Sequence, residues 1–202
     1  MDVVDDGRSV VPRRRVAPYV AAAVAVVLLA FIALLATRKP AEERDQQSPL
    51  VGKVVPALSG ATLDGGRYDI DNQRGRYVLV NFFATWCIPC QVEHPELVAF
   101  ADRHKAAGDA SVVSVSFQDS EENIRRFFAE RGGSWPVIAG QNSAAIDFGV
   151  AALPESFLVA PDGTIVQKFV GGVKADQVDA VINEIEKAGS GPAGGSGNGS
   201  GS

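Results

Sequence analysis

The chain has few of the side chains that build metal centres or disulfide frameworks. Its 202 residues include two cysteines and two histidines. Two cysteines exclude a disulfide-rich scaffold and a four-cysteine zinc site. Between residues 50 and 188 a basic cluster is missing as well: this stretch carries 12 Lys/Arg against 18 Asp/Glu, a net charge of −6. Lys/Arg contacts to phosphate supply most nucleic-acid affinity, so nucleic acid is excluded as a partner. No internal repeat is visible. Charge is absent from the 22 residues Val16 to Thr37, and residues 189–202 are almost wholly Gly, Ser, Ala, Pro and Asn. The 139 residues from Leu50 to Ala188 make one domain with room for a core, and leave none for a second catalytic domain.

The uncharged run 16–37 is about the length needed to cross a bilayer as a helix. A cleaved signal peptide has a shorter apolar region, typically about 7–15 residues, closed by a small-x-small site. Here the exit reads A-L-L-A-T-R-K-P, with Leu34 where a small residue belongs. Both features favour an uncleaved anchor. Arg8, Arg13, Arg14 and Arg15 precede the run; Arg38, Lys39 and Arg44 follow it. The triple-Arg cluster orients the N-terminus (1–15) to the cytoplasm and the domain outside. Residues 38–49 form a polar tether, and 189–202 a flexible, disordered tail.

Within the domain, Tyr77 to Phe83 (Y-V-L-V-N-F-F) reads as a central strand covered on both faces. It runs into W-C-I-P-C and then a helix. Cys90, Glu93, Leu97 and Phe100 recur at helical spacing and share one face. Gly108 is the expected end of that helix. Ala110 to Phe117 reads as a second strand. Asp119-Ser120-Glu121-Glu122 opens a helix to about Arg131 with a capping box. Glu155–Val159 and Thr164–Val170 flank P-D-G and form a hairpin. Val178, Val181, Ile182 and Ile185 mark a closing amphipathic helix. Val54–Leu58 and Tyr68–Ile70, around L-D-G-G-R, form a small leading hairpin. The expected class is α/β, with a central mixed sheet and helices on both faces.

Both cysteines sit in one C-x-x-C at the strand-to-helix junction. Cys87 lies at the helix N-terminus, where unpaired N–H groups and the helix dipole favour the attacking thiolate. Cys90, one turn on, faces inward and can resolve a mixed disulfide. A structural disulfide over so short a loop would stabilise little. Half a zinc site fits poorly, because His94 and His104 lie on the same helix and make no second ligand pair. Glu93, three residues after Cys90, points under the disulfide. A buried carboxyl there has a raised pKa and can move a proton to or from a thiol. Trp135, Phe127 and Phe128 read as core or rim. His94 reads as packing or surface before catalysis.

The segment V-N-F-F-A-T-W-C-I-P-C-Q-V-E-H-P-E-L resembles the active-site segment of thioredoxin-fold proteins, and more narrowly that of the membrane-anchored TlpA/ResA/CcmG (DsbE) reductases. F-G-V-A-A-L-P-E-S-F-L-V-A-P-D-G-T-I-V resembles the same group's second signature. The resemblance covers about residues 50–188. It implies a thioredoxin-like fold with an N-terminal β-hairpin extension. It implies Cys87 as nucleophile, Cys90 as resolving thiol and Trp86 packed beside the exposed sulfur. Pro154 would be the cis-proline facing the disulfide, with Leu153 pairing the bound peptide. Pro95 would interrupt the active-site helix. Glu93 stands where the ResA-like members keep their acid. Asn81 stands where thioredoxin proper has a buried Asp, and cannot titrate. Two positions depart from the CcmG pattern: Ala152-Leu153 in place of Gly-Ala, and Ile88.

The expected function is an extracytoplasmic, membrane-anchored thiol-disulfide oxidoreductase. It reduces disulfides of exported proteins, such as apocytochrome c at C-x-x-C-H. It uses no cofactor or metal besides the Cys87–Cys90 disulfide, and draws electrons from a membrane thiol donor. Ile88-Pro89 offers the Cys87 thiolate no cation, which leans toward a reductant. The alternatives are a disulfide oxidant or isomerase for exported proteins, a peroxide-reducing redoxin, and a non-enzymatic copper-handling module using Cys87, Cys90 and His94. An adjacent resolving Cys90 argues against peroxide reduction, and a proline over the sulfurs argues against added metal.

Overall fold

A computed structural model describes residues 17–36, 48–140 and 142–189. The expectations for 1–15, for 38–47 of the tether and for 190–202 of the tail lie outside them. The chain divides into two compact units, Met1–Pro40 and Ala41–Ser202. In the first, α1 (Ala17–Ala36) is a 20-residue helix without a charged residue. Its side chains are described and exposed over residues 19–33. Among the described residues, no helix is long and apolar enough to cross a membrane.

The second unit carries the rest. A two-stranded ribbon, β1 (Ser59–Ala61) and β2 (Arg67–Asp69), leads through a 3-10 turn (Ile70–Gln73) into β3 (Tyr77–Phe83). Then come α2 (Ile88–His104), β4 (Ala110–Ser116), α3 (Glu121–Arg131), β5 (Val137–Ile138) and α4 (Asn142–Asp147). The hairpin β6 (Glu155–Val159) and β7 (Ile165–Val170) and the helix α5 (Ala175–Gly189) close the chain. The main sheet has the order β5-β4-β3-β6-β7. β3 runs parallel to β4 and antiparallel to β6, so the sheet is mixed.

All seven residues of β3 are buried. Period-2 alternation splits them between two cores. Val78, Val80 and Phe82 pack with Val113, Phe157, Phe148 and the leading segment. Tyr77 and Leu79 pack with Leu97 and Phe100 of α2 and Val178 and Ile182 of α5. A third cluster, Phe83, Ile124, Phe127 and Val137, closes around the two cysteines.

Four local expectations shift. The leading hairpin has its first arm at Ser59–Ala61, paired with Arg67–Asp69. The turn 62–66 sets that register, with Thr62 N–H donating to the Gly66 carbonyl. Val54 instead bridges Thr164, drawing the leading segment onto the β6–β7 turn. Helix α2 ends at His104, and Gly108 closes the following turn in the left-handed region (φ 67°). The N-cap of α3 is Ser120, whose side chain accepts from Asn123 N–H. Asn123 occupies the position a capping box gives to Glu or Gln, so only the serine half forms. α5 runs to Gly189, one residue into the expected tail. The elements β5 and α4 have no counterpart in the sequence reading.

Candidate active site

The turn from β3 into α2 is fixed from two sides. Thr85 N–H donates to Asp119 Oδ2 at 2.6 Å, and the Thr85 carbonyl accepts from Gln91 Nε2 at 2.7 Å. Cys87 is the N-cap of α2: its Sγ accepts from the Cys90 N–H at 3.3 Å. Pro89 sits in the first turn, where its missing N–H is harmless. Cys87 and Cys90 form a disulfide with Cα atoms 5.3 Å apart. As residues they are 6% and 2% exposed, so the sulfur expected to be exposed is largely enclosed. After reduction, the Cys90 N–H on Cys87 Sγ is placed to stabilise a thiolate there.

A cleft of about 470 Å³ opens over Cys87, lined by Trp86, Ile88, Pro89, Phe117, Ala152 and Leu153. The Leu153–Pro154 peptide is cis, and the Pro154 carbonyl accepts from Gly171 N–H at 3.0 Å. Trp86 is 59% exposed and is steadied by its indole N–H donating to the Gln118 carbonyl. Trp86, Cys87 and Leu153 therefore meet at one cleft, and Pro154, next in sequence, is buried.

Cys90, Glu93, Leu97 and Phe100 share the buried face of α2. Glu93 Oε1 accepts from Asn81 Nδ2 at 2.8 Å, and Oε2 accepts from Val173 N–H at 3.1 Å. Burial pushes the carboxyl up to about 7, against the pull of these two donors. A group so poised exchanges a proton near neutrality. Gly172 lies close enough that a Cβ would meet Glu93 Cβ at 3.4 Å. Pro95 lies inside α2.

His94 is a packing residue. Its ring lies among Phe127, Phe128 and Trp135, and Nε2 meets the Gly132 carbonyl at 2.9 Å. Burial lowers its pKa. Among the described residues, no three His, Cys, Asp or Glu side chains are grouped to hold a metal ion.

Sequence reasoning missed several contributors. Asn81 counted only as a lost acid, yet it is the donor to Glu93. Phe117 lines the cleft without any motif to mark it, and Ala152 was marked only as a departure from the CcmG pattern. Asp119 was legible as a helix start; its grip on Thr85 was not.

A dithiol closed across the first turn of a helix, on this mixed sheet and beside a cis-proline loop, defines a thioredoxin-like thiol-disulfide oxidoreductase. The redoxin family model matches residues 50–183, and the chain belongs to that family. The thiol:disulfide interchange protein CycY of Rhizobium leguminosarum bv. viciae is 36% identical over 137 residues, 66% of each chain. The thiol-disulfide oxidoreductase ResA of Bacillus thuringiensis (strain Al Hakam) is 26% identical over 142 residues, 70% of this chain and 82% of that one. Among solved structures, the thioredoxin domain of a thiol-disulfide oxidoreductase from Bacteroides vulgatus matches with a TM-score of 0.59 at 28% identity, covering 70% of this chain and 99% of that one. The kinship read from W-C-I-P-C and P-E-S-F-L-V holds.

Proposed function

We propose that the chain is a membrane-anchored, extracytoplasmic reductase of disulfides in exported proteins. Its substrates would include the C-x-x-C-H disulfide of apocytochrome c, as in the group it resembles. The observation that carries the direction of electron flow is the cleft over Cys87: none of its lining side chains is charged. No cation there steadies a Cys87 thiolate, and strong oxidants depend on such steadying of their reduced form.

Cys87 as thiolate attacks one sulfur of the substrate disulfide. That S–S bond breaks, its other sulfur leaves as a thiolate and takes up a proton, and a mixed disulfide forms. Cys90 passes its proton to Glu93 and attacks Cys87 Sγ. The second substrate sulfur leaves as a thiolate. Two electrons have passed to the substrate, and the Cys87–Cys90 bond remains. Leu153 and Pro154 hold the substrate chain against the disulfide, and Trp86 walls the cleft. A membrane thiol pair restores the dithiol; the Cys87/Cys90 pair is the only redox group used, with no further cofactor or metal.

In the sequence, Val16 to Thr37 is a run of 22 residues without charge, against about 20 needed for a span, and that run supports the anchor. The Arg8–Arg15 flank supports a cytoplasmic N-terminus. Equilibration of the Cys87/Cys90 pair with glutathione or dithiothreitol buffers tests the direction. A potential near or below about −220 mV supports a reductase; one near about −120 mV makes the protein a disulfide donor.

A further inference from the structure

Three polar side chains lie in a row across the sheet beneath α2. Asn81 of β3 is in register with Ser114 of β4 and Ser156 of β6. All three are at most 1% exposed. Buried polar groups persist where each finds a partner, and here the partners form a chain with a direction. Trp135 Nε1–H donates to Ser114 Oγ at 2.8 Å. Ser114 Oγ–H donates to Asn81 Oδ1 at 3.3 Å. Asn81 Nδ2 donates to Glu93 Oε1 at 2.8 Å and to Ser156 Oγ at 3.1 Å.

We propose that Trp135 is a positioning residue for Glu93: through Ser114 it fixes which end of the Asn81 amide meets the carboxyl. An indole N–H can only donate. Ser114 must therefore accept from Trp135, and its own hydrogen is directed to Asn81 Oδ1. That anchors the carbonyl end of the amide and turns the NH₂ end to Glu93. A carboxylate accepts from an NH₂ group. A reversed amide would set Oδ1 against Glu93, which suits only the protonated carboxyl. The chain thus holds Asn81 in the orientation that favours the ionised acid, opposing the burial that favours the neutral one.

The other groups around Glu93 are few. The Val173 N–H holds Oε2. Glu96 on α2 and Lys174 before α5 line the same groove, of about 440 Å³. Glu96 Oε2 is itself engaged by the Ala175 N–H at 3.1 Å. Among the described residues, the sheet side presents the neutral row Ser114, Asn81 and Ser156 to Glu93.

The test uses Trp135→Phe and Ser114→Ala in the full chain in detergent. Phenylalanine keeps the aromatic contacts to His94 and Phe128, and Ser114→Ala leaves Trp135 itself in place. The Glu93 carboxyl is followed by infrared titration of the disulfide form, its band assigned by loss in Glu93→Gln. Each variant should raise the carboxyl midpoint by about one pH unit, the size expected for weakening one hydrogen bond to a charged group. The double variant should move it no further. Unmoved midpoints in both folded variants overturn the proposal, as does additivity in the double. The effect on exchange rests on the proton-handling reading of Glu93. If the midpoints move while the pH profile of exchange stays in place, the chain stands and that reading falls.

Discussion

Two carboxyls are buried near the disulfide, on opposite faces of one sheet, and they are handled differently. Glu93 is 3% exposed and Glu155 2%. Glu93 is hydrogen-bonded by dipoles, the Asn81 amide and the Val173 N–H. Glu155, next to Pro154, faces a full charge, with Lys168 Nζ 2.8 Å from Oε2. Lys168 also lies over the Phe157 ring and reaches toward the Gly149 carbonyl. A buried ion pair fixes a side chain in one state, because losing either partner strands a charge in the core. Dipoles bias a carboxyl's charge without fixing it: the two N–H donors favour the ionised Glu93 and burial favours the neutral one. The ion pair suits fixed backbone beside the cis-proline; the dipoles suit the proton exchange proposed for Glu93.

The largest expected effect comes from removing the cation. Lys168→Met leaves Glu155 uncompensated and should destabilise the folded domain by about 3–5 kcal/mol at neutral pH. Urea unfolding of the disulfide form measures it. Removing both charges in Lys168→Met with Glu155→Gln should recover much of the loss. The pH profile of disulfide exchange should keep its midpoint. A full loss that persists in the double variant would mean that Lys168 matters through packing, and the contrast between the two carboxyls would fail.

Glu93→Gln attacks the other member. Loss of a positioned proton carrier should slow exchange by about 10²-fold and flatten its pH profile. An unaltered profile would remove Glu93 from the chemistry. Stability gives a separate reading with a definite sign. The Glu93 pKa rises from 4.5 to about 7 on folding, mainly by burial. Between those values the folded protein binds the extra proton. The stabilisation is therefore complete below about 4.5 and is lost as pH rises through about 7. The span is roughly 3 kcal/mol at most. The Gln variant should lack this slope in the oxidised protein, where no thiol titrates.

Much of this contrast was visible in the sequence on the Glu93 side only. Helical spacing from Cys90 to Phe100 put Glu93 on the buried face, because one helix carries its own periodicity. The central strand, the C-x-x-C junction and the P-D-G hairpin were legible for similar reasons: each signal is local. Gly163, at φ 87°, closes that hairpin turn as the P-D-G motif requires. The Ser114–Asn81–Ser156 row was not legible. Each serine looks ordinary in its own strand, and the row exists only once three strands are in register. Lys168 was hidden in the same way, since its partner is set by the β6–β7 pairing. A two-residue β5 and a six-residue α4 are too short to show a period. The leading hairpin slipped because its register is set by a turn rather than by an apolar pattern.

The smallest effect concerns a third titrating group, and it separates site from scaffold. At the far end of α2, His104 Nδ1 meets Asp109 Oδ1 and Nε2 meets Asp179 Oδ1, each at 3.0 Å. A ring with a carboxylate at both nitrogens donates twice, which only the imidazolium can do. Burial works against that charge, but the hydrogen bonds to Asp179 and Asp109 outweigh it, and the pKa is raised from 6.5. Its stabilisation is therefore complete below 6.5 and is lost as pH rises through the raised folded value. This slope has the same sign as that of Glu93 but begins at higher pH. His104→Gln should remove about 0.5–1 kcal/mol, the range of partly exposed ion pairs, and only on the acid side of the transition. Exchange kinetics should be unmoved, since His104 lies at the other end of α2 from Cys87. Urea unfolding of His104→Gln, Glu93→Gln and the double variant across pH resolves the two slopes. Additive losses would show the clasp and the active-site carboxyl to be independent, whereas a coupling beyond about 0.5 kcal/mol would mean that α2 transmits charge from one end to the other.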